Sequence, residues 1–388
     1  MDRYIELSKK YFDKMRSIRR EIHKYPEIDR FLPKTCKVVT DELDNIGVEY
    51  TRYKDLGVIG HIGRGNNIVG LRADMDALKV LDLKNVDYAS KSKGYMHACG
   101  HDGHTAAQIG AAYILKELED ELEGRVRFIF QPAEETDGGA IDMINYGAVE
   151  NLSALFGLHV CEAMPSGSIG VKKGVVAAAS NPFKLTIRGK GAHGASPHTG
   201  VDTIVVAAKV IDAIQSIVSR EVAATDSVVI SIGIIKGGTA TNAIASTVEI
   251  EGIIRTLGEE LRDKVIRRFK EIIEYTTKAF NATADILIEE SYPSYNNNDE
   301  LHDFLESKLK DEMNINYVTL TRPSMGVEDF AYYAKLVPSL YYRLGCRNEL
   351  RGIMNPAHGS YFDIDEECLI YGAACQAMCA VEYLKKLK

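Results

Sequence analysis

The sequence has no long apolar run, little proline and no excess of positive charge. No segment approaches the ~18 consecutive apolar residues that a membrane-spanning helix needs, which excludes such a helix. Lysine and arginine number 47 against 55 aspartate and glutamate residues, so the net charge is −8. Because no long basic run offsets this balance, we expect neither a nucleic-acid partner nor a membrane surface. With 10 prolines and 32 glycines in 388 residues, the composition differs from that of a disordered or collagen-like chain.

The first residues and the cysteines of the sequence lead us to expect neither a signal peptide nor a disulfide framework. The first residues, MDRYIELSKKYFDKMRSIRREIH, are charged throughout and contain no apolar core. The seven cysteines are odd in number and scattered, which is typical of reduced intracellular thiols. Both observations predict a cytoplasmic protein. Cys375 and Cys379, one helical turn apart, are interpreted as buried apolar residues of a helix.

Short apolar runs alternate with helical patterns along most of the chain, as in 58–62, 68–71, 126–130 and 155–160. This alternation predicts an α/β fold with a mostly parallel sheet and flanking helices. After residue 180 the order becomes strand, helix, strand, strand, helix, strand, which indicates a ferredoxin-like α+β unit. We therefore predict a main α/β domain in two parts, residues 1–180 and 292–388, interrupted by an inserted domain at 181–291.

Residue types that bind metals cluster in the segment His97-Ala-Cys99-Gly-His101-Asp102-Gly-His104. Thiolates, imidazoles and carboxylates are the donors that transition metals bind in proteins. Cys99 and His101 would point to different faces of a helix, but an extended or looped segment can direct both to one point. On this segment alone, a polar loop with no ligand role remains the alternative.

Further polar residues stand where apolar runs end, which is where open α/β sheets build their sites. Each has an ordinary structural explanation, since adjacent glutamates are usually solvated and a lone histidine is usually a satisfied core residue. Together they supply enough donors to favour a site for two metal ions over coincidence. These residues are Asp74 and Asp76 after the run 68–71, Glu134 and Glu135 after 127–130, His159, and His358 in Asn355-Pro-Ala-His358-Gly.

Several strings, in order along the chain, resemble those of one enzyme group: LRADMDAL, HACGHDGHT, QPAEE, GLHV, GKGAHGASPH, Gly-Gly-Thr-Ala-Thr-Asn and MGVEDFAYY. With the earlier His23-Lys-Tyr-Pro26-Glu27, they are similar to the amidohydrolase branch of the aminoacylase and carboxypeptidase-like metallopeptidase superfamily. That branch includes hippurate hydrolases, N-acyl-amino-acid amidohydrolases, indoleacetyl-amino-acid hydrolases and N-acetyl-diaminopimelate deacetylases. The resemblance runs from about Arg19 to Phe362.

The resemblance implies a catalytic domain with two divalent metal ions and an inserted lid domain that forms a homodimer or homo-oligomer interface. A cysteine-containing site favours zinc, and its mixed donors also admit manganese, nickel or cobalt. Matched position by position, the resemblance assigns the following roles. The metal ligands are Cys99, His101, Glu135, His159 and His358; the general base is Glu134; Asp74 is catalytic, with Asp76 beside it as an outer carboxylate; and His193, Asn242 and Arg255 contact the substrate.

The predicted activity is hydrolysis of the amide bond of an N-acyl amino acid or small peptide-like substrate by metal-activated water. A metallo-carboxypeptidase or dipeptidase acting on short peptides is the alternative within the same class. A thiol hydrolase would use Cys99 as nucleophile and a nearby histidine as base. It would leave Glu135, His159 and His358 without a task. A non-catalytic ligand-binding protein predicts a missing ligand or base, and none is missing. Lys79 and Asn355-Pro-Ala-His358 depart from the pattern of the group, which bears on specificity.

Overall fold

The computed structural model describes residues 3–54, 56–136, 138–311, 313 and 315–388. The chain divides into two compact units, one of residues 1–174, 297–322 and 329–388, and one of 175–296 and 323–328. These limits lie a few residues outside the predicted insertion at 181–291. The segment 323–328, which the sequence placed in the main domain, joins the inserted unit because Ala178 donates its N–H to the carbonyls of Ser324 and Gly326, each at 3.1 Å.

The helices and strands follow one another in mixed order. The helices are α1 (Arg3–Lys10), α2 (Phe12–Lys24), α3 (Pro33–Asn45), α4 (His101–Glu117), α5 (Gly139–Asn145), α6 (Thr203–Ser216), α7 (Glu259–Ala279), α8 (Asp299–Asp311), α9 (Phe330–Ala334) and α10 (Cys368–Lys386). The strands are β1 (Glu49–Tyr53), β2 (Gly57–Gly63), β3 (Ile68–Asp74), β4 (Arg125–Gln131), β5 (Ala154–Pro165), β6 (Ile169–Val171), β7 (Gly174–Ala177), β8 (Ala179–Arg188), β9 (Ala192–His193), β10 (Val228–Gly237), β11 (Ala243–Ile244), β12 (Thr247–Thr256), β13 (Thr283–Ile288), β14 (Tyr295–Asn297), β15 (Tyr317–Thr319) and β16 (Ser339–Arg347).

The first unit is built on an eight-stranded sheet in the order β1-β2-β4-β3-β5-β16-β6-β15. Its central strands β4, β3, β5 and β16 run parallel, and β1, β2 and β6 introduce antiparallel pairs. Every residue of β3 is buried, as expected for a central strand covered on both faces. The mostly parallel sheet with flanking helices confirms the predicted α/β class.

Two buried helices, α4 and α10, pack against each other and contribute to the core of this unit. Small residues let these two helices approach closely: a Cβ on Gly110 of α4 would lie 3.1 Å from Cβ of Ala373 in α10. Cys375 and Cys379 are fully buried in α10, in agreement with their interpretation as apolar residues. Among the described residues, no helix is both long enough and apolar enough to cross a membrane.

The inserted unit has a four-stranded antiparallel sheet in the order β10-β12-β8-β13. In chain order it reads β8, α6, β10, β12, α7, β13, the ferredoxin-like sequence of elements. Both helices bury apolar side chains in its separate core, for example Val210 of α6 and Phe269 of α7. On the other side of α6, Ile204 and Val205 are about half exposed, and β10 is an edge strand.

Candidate metal-binding site

Cys99 and His101 lie on either side of Gly100, where a loop becomes α4. Gly100 has φ +88°, and a Cβ there would lie 2.5 Å from Cγ2 of Val160, so conformation and space both require glycine. The Sγ of Cys99 is 3.3 Å from Nε2 of His159, at the end of the buried part of β5. The ligand atoms of Cys99, His101 and His159 all lie within 4.8 Å of one another. The turn at Gly100 therefore lets two residues close in sequence face one point.

Cys99 also belongs to a second group of donors, with Glu135 and His358, whose ligand atoms lie within 4.8 Å of one another. Oε1 of Glu135 is 3.4 Å from Nε2 of His358 and 3.7 Å from Nε2 of His101. His358 has φ +64°, a conformation that non-glycine residues rarely adopt outside constrained sites. Its N–H donates to the carbonyl of Ala98 at 2.7 Å. That bond fixes the loop of His358 to the segment that carries Cys99.

Asp76 holds the backbone of the two adjacent glutamates. Its Oδ1 accepts the N–H of Glu134 and its Oδ2 accepts the N–H of Glu135, both at 3.0 Å. Oδ1 also lies 3.3 Å from Nδ1 of His101. A third group of ligand atoms within 4.8 Å consists of His101, Glu134 and Glu135. One carboxylate therefore sets the position of both glutamates relative to His101.

Asp74, at the end of β3, has partners of its own. Its Oδ1 bonds Nδ1 of His104 and its Oδ2 accepts from Nη1 of Arg72. Nε2 of His104 accepts the N–H of Val160 at 2.9 Å, so the hydrogen of the neutral ring is on Nδ1. His104 thus uses both nitrogens within the protein and is not available as a metal ligand. Asp74 lies beside His101, with 3.8 Å between Oδ1 and Nδ1.

The buried donors fit a cation. Both ring nitrogens of His101 and Oε1 of Glu135 are buried without a hydrogen-bond partner among the described residues, although such atoms in proteins are nearly always paired. Burial opposes a charge on His101, but Asp74, Asp76 and Cys99 together outweigh burial and raise the pKa of His101 well above its ordinary value, so the surroundings of the ring favour positive charge. Burial and Arg343 lower the pKa of His159, which favours the neutral, metal-binding form of its ring. The nitrogen, oxygen and sulfur donors suit a divalent transition metal.

Three predicted residues lie in the inserted unit. Ala243 of β11 pairs with His193 of β9, and the carbonyl of Asn242 accepts the N–H of Gly194 at 2.7 Å, so His193 and Asn242 are neighbours. Nδ1 of the exposed His193 accepts the N–H of Ala195 at 3.1 Å. Arg255 lies on β12, and its Nη1 is buried with no partner in the part of the chain that the structure describes. Burial lowers its pKa.

Two buried polar networks of the first unit, one at Asp74 and one at Asp102, were not predicted from the sequence. In one, Arg72 bonds Gln131, Asp74 and Asp329; in the other, Asp102 accepts from Nε of Arg19 and bonds Nδ1 of His23, both at 2.7 Å. A signal existed for Arg72, because it is a charged residue at the end of an apolar run. The partners come from distant parts of the chain, and no spacing pattern connects them.

Comparisons with known proteins show the family to which the chain belongs. The sequence profile of the peptidase family M20/M25/M40 matches residues 70–381. IAA-amino acid hydrolase ILR1-like 4 of Arabidopsis thaliana is 40% identical over 395 residues, which cover 100% of this chain and 90% of that protein. Thermostable carboxypeptidase 2 of Saccharolobus solfataricus is 38% identical, with 95% of each chain covered. N-acetyl-L-cysteine deacetylase of Bacillus subtilis is 38% identical, with 91% of this chain and 84% of that one covered.

Comparison with solved structures supports the same family. The Bacillus subtilis YXEP protein, a dinuclear metal binding peptidase from the M20 family, superposes with a TM-score of 0.87 at 31% identity, covering 97% of this chain and 99% of that one. A protein from methicillin resistant Staphylococcus aureus gives a TM-score of 0.94 at 32% identity, covering 99% and 100%. These matches confirm the resemblance stated from the sequence motifs. The chain belongs to the peptidase family M20/M25/M40 and is an amidohydrolase of that family.

Proposed function

We propose that the chain hydrolyses the amide bond of N-acyl amino acids with the help of two divalent metal ions. The observation that carries this proposal is that Cys99 belongs to two donor groups, one with His101 and His159 and one with Glu135 and His358. A thiolate has more than one lone pair, so Cys99 would help to hold metal together with either group. Divalent ions in such a site supply Lewis acidity that polarises a carbonyl group and makes water a stronger acid.

Glu134 is the general base of this proposal. It is buried, and its backbone is fixed by Asp76, while the side chain of the adjacent Glu135 contacts His101 and His358. The carboxylate of Glu134 takes a proton from the attacking water and delivers it to the amide nitrogen as the C–N bond breaks. Asp76 acts on the reaction by holding Glu134, and Asp74 by holding His104 beside His101.

The inserted unit supplies the substrate contacts. Because Nδ1 of His193 accepts a hydrogen bond, the hydrogen of its neutral ring is on Nε2, which makes His193 a donor for the developing oxyanion. The unpartnered Nη1 of Arg255 suits the carboxylate of an amino acid, and Asn242 adds a neutral polar contact. The names of two relatives, an IAA-amino acid hydrolase and an N-acetyl-L-cysteine deacetylase, support an N-acyl amino acid as the substrate class.

A second candidate function is that of a metallo-carboxypeptidase or dipeptidase, which the 38% identity to thermostable carboxypeptidase 2 favours. A single substrate panel separates the two. Amine release is measured from N-acetyl, N-benzoyl and N-indoleacetyl amino acids and from dipeptides, after loading with Zn²⁺, Mn²⁺, Co²⁺ or Ni²⁺. Metal-dependent turnover of the N-acyl amino acids supports the proposal, whereas turnover of dipeptides alone supports the second candidate. Activity that survives chelation would instead indicate a thiol hydrolase.

Two adjacent substitutions test the roles of the glutamates. Glu134→Gln removes the proposed base and should lower kcat by about 10²–10⁴-fold while the metal content stays at the wild-type value. Glu135→Gln is the matched control, because the same chemical change one residue later removes a ligand and should lower the metal content. Full activity of Glu134→Gln, or unchanged metal content in Glu135→Gln, would contradict the assignment.

The remaining parts of the proposal concern the metal and the assembly. We infer zinc as the first ion to test, because a thiolate is a soft ligand, with manganese, nickel and cobalt as alternatives. We also infer a homodimer or homo-oligomer through the inserted unit, supported by the exposed Ile204 and Val205 and by the open edge of β10. A cytoplasmic location and the absence of nucleic-acid and membrane partners stay predictions from composition.

A further inference from the structure

Arg72 and Asp329 form a buried ion pair that ends at Asp74. Arg72, Asp74 and Asp329 all have 0% of their surface exposed. Nη2 of Arg72 donates to Oδ1 of Asp329 at 2.7 Å, and Nη1 donates to Oδ2 of Asp74. Asp329 lies directly before α9, in the MGVEDFAYY string, and bonds Arg72, Gln131 and the N–H of Ala140. Arg72 therefore bonds Asp74, a residue of the proposed site, and Asp329 bonds Arg72.

The second carboxylate oxygen of Asp329, Oδ2, accepts hydrogen bonds that fix the position of the side chain. Oδ2 accepts Nε2 of Gln131 at 2.6 Å and the N–H of Ala140 at 2.9 Å. Oε1 of Gln131 in turn accepts Nε of Arg72 at 2.9 Å and the hydroxyl of Tyr333 at 3.0 Å. Both oxygens of Asp329 therefore act only as acceptors. The planar guanidinium of Arg72 is oriented by its bonds to Gln131, Asp74 and Asp329, an arrangement that an ammonium group could not reproduce.

The chain of contacts continues from Asp74 into the proposed metal site. Oδ1 of Asp74 bonds His104, which accepts the N–H of Val160, the residue after His159. The carbonyl of Asp74 also accepts the hydroxyl of Thr105 in the first turns of α4, the helix that begins with His101. Asp74 is thus bonded both to the strand of His159 and to the helix of His101.

We propose that Asp329 and Arg72 are positioning residues that act through Asp74 and His104 to set the geometry of His101 and His159. Buried ion pairs contribute little net stability compared with apolar residues of the same volume. Partners of metal ligands, in contrast, orient those ligands and tune metal affinity. This inference rests on the proposed metal site and extends it to residues outside the proposed ligand set.

The test uses the full chain loaded with Co²⁺, whose absorption spectrum reports ligand geometry and the thiolate of Cys99. Asp329→Asn replaces one carboxylate oxygen by an NH₂ group, which then faces a hydrogen-bond donor instead of accepting from it. Arg72→Lys keeps the positive charge but loses the planar guanidinium. Glu382→Gln is the matched control, because Glu382 bonds Tyr4, Lys308 and Lys385, none of which is a site residue. Each variant is measured for thermal stability, Co²⁺ affinity by chelator competition, the Co²⁺ spectrum, kcat and KM.

We expect both Asp329→Asn and Arg72→Lys to bind Co²⁺ about 10–100-fold more weakly, with altered spectra and a lower kcat. The control should lose stability with no change in spectrum or Co²⁺ affinity. If Asp329→Asn does not fold, Arg72→Lys decides, since it keeps the buried charges balanced. Folded variants with the wild-type spectrum and affinity would overturn this inference alone. A wild-type chain that binds no Co²⁺ would overturn the proposed function as well.

Discussion

Asp76 accepts two backbone hydrogen bonds, and its substitution should lower kcat by more than its effect on stability explains. Each carboxylate oxygen of Asp76 accepts one backbone N–H, from Glu134 and Glu135, at 3.0 Å. Asparagine has a single oxygen, so Asp76→Asn leaves one of these N–H groups facing an amide NH₂. The same arrangement occurs at Asp82, whose two oxygens accept the N–H groups of Lys84 and Ser90 at 3.0 Å. Asp82→Asn is therefore a control with the same chemical change.

These contacts set the expected losses in the free energy of unfolding and in kcat. Losing one hydrogen bond to a charged acceptor costs about 1.5–3 kcal/mol, so both variants should lose about that much free energy of unfolding. Only Asp76→Asn displaces Glu134, and a shift of about 1 Å in a catalytic group costs on the order of 10²-fold in rate. We therefore expect similar losses of stability but a kcat about 10²-fold lower for Asp76→Asn alone.

Urea unfolding and kcat on the best substrate of the panel measure the two quantities. The comparison is stringent, because Asp82 also lies 3.2 Å from Nε2 of the buried His23 and so is no less connected than Asp76. Equal losses of kcat in the two variants would refute the reasoning, because the effect would then be general destabilisation. Wild-type kcat in Asp76→Asn would show that Glu134 does not depend on this carboxylate.

Three further predictions concern other parts of the chain. Gly100→Ala should lower both the free energy of unfolding, by about 1 kcal/mol or more, and the metal content, because its Cβ meets Val160 at 2.5 Å; urea unfolding and elemental analysis check this. Burial opposes ionisation of Glu382, but its hydrogen bonds outweigh burial and lower its pKa to about 2. Its stabilising effect is thus complete above pH ~4.5 and is lost as the pH falls towards 2, so Glu382→Gln should flatten the pH dependence of unfolding there, and an unchanged slope would contradict this. Ile204→Glu with Val205→Glu should convert an oligomer to monomers in light scattering, and a wild-type monomer would remove the proposed interface.

The fold class was predictable because the central strands are buried on both faces. A strand such as β3 must then be apolar almost throughout, and such runs stand out in any sequence. The positions of Asp74 and Glu134 followed from the same fact, since polar residues at the ends of buried runs collect at one edge of a parallel sheet. The proposed roles of site residues as metal ligand or base came from the resemblance and not from the pattern.

The supporting residues were not predictable, because their roles depend on neighbours far along the chain. Arg72 and Asp329 are 257 residues apart, and no periodicity links them. His104 could not be separated from His101 by residue type, and only the N–H of Val160 at its Nε2 shows that its ring is already used. The segment 323–328 likewise joins the inserted unit through backbone bonds, which carry no sequence signature.

The place of β16 in the large sheet has a consequence for synthesis of the chain. β16 lies between β5 and β6, although it follows them by more than a hundred residues of sequence. A nascent chain therefore presents one side of the apolar β5 as an open sheet edge until Ser339–Arg347 has left the ribosome. Unpaired apolar edges are the surfaces through which incomplete chains associate. Fragments that end before Ser339 should accumulate as aggregates, whereas release of the last fifty residues closes the sheet and brings His358 to its place.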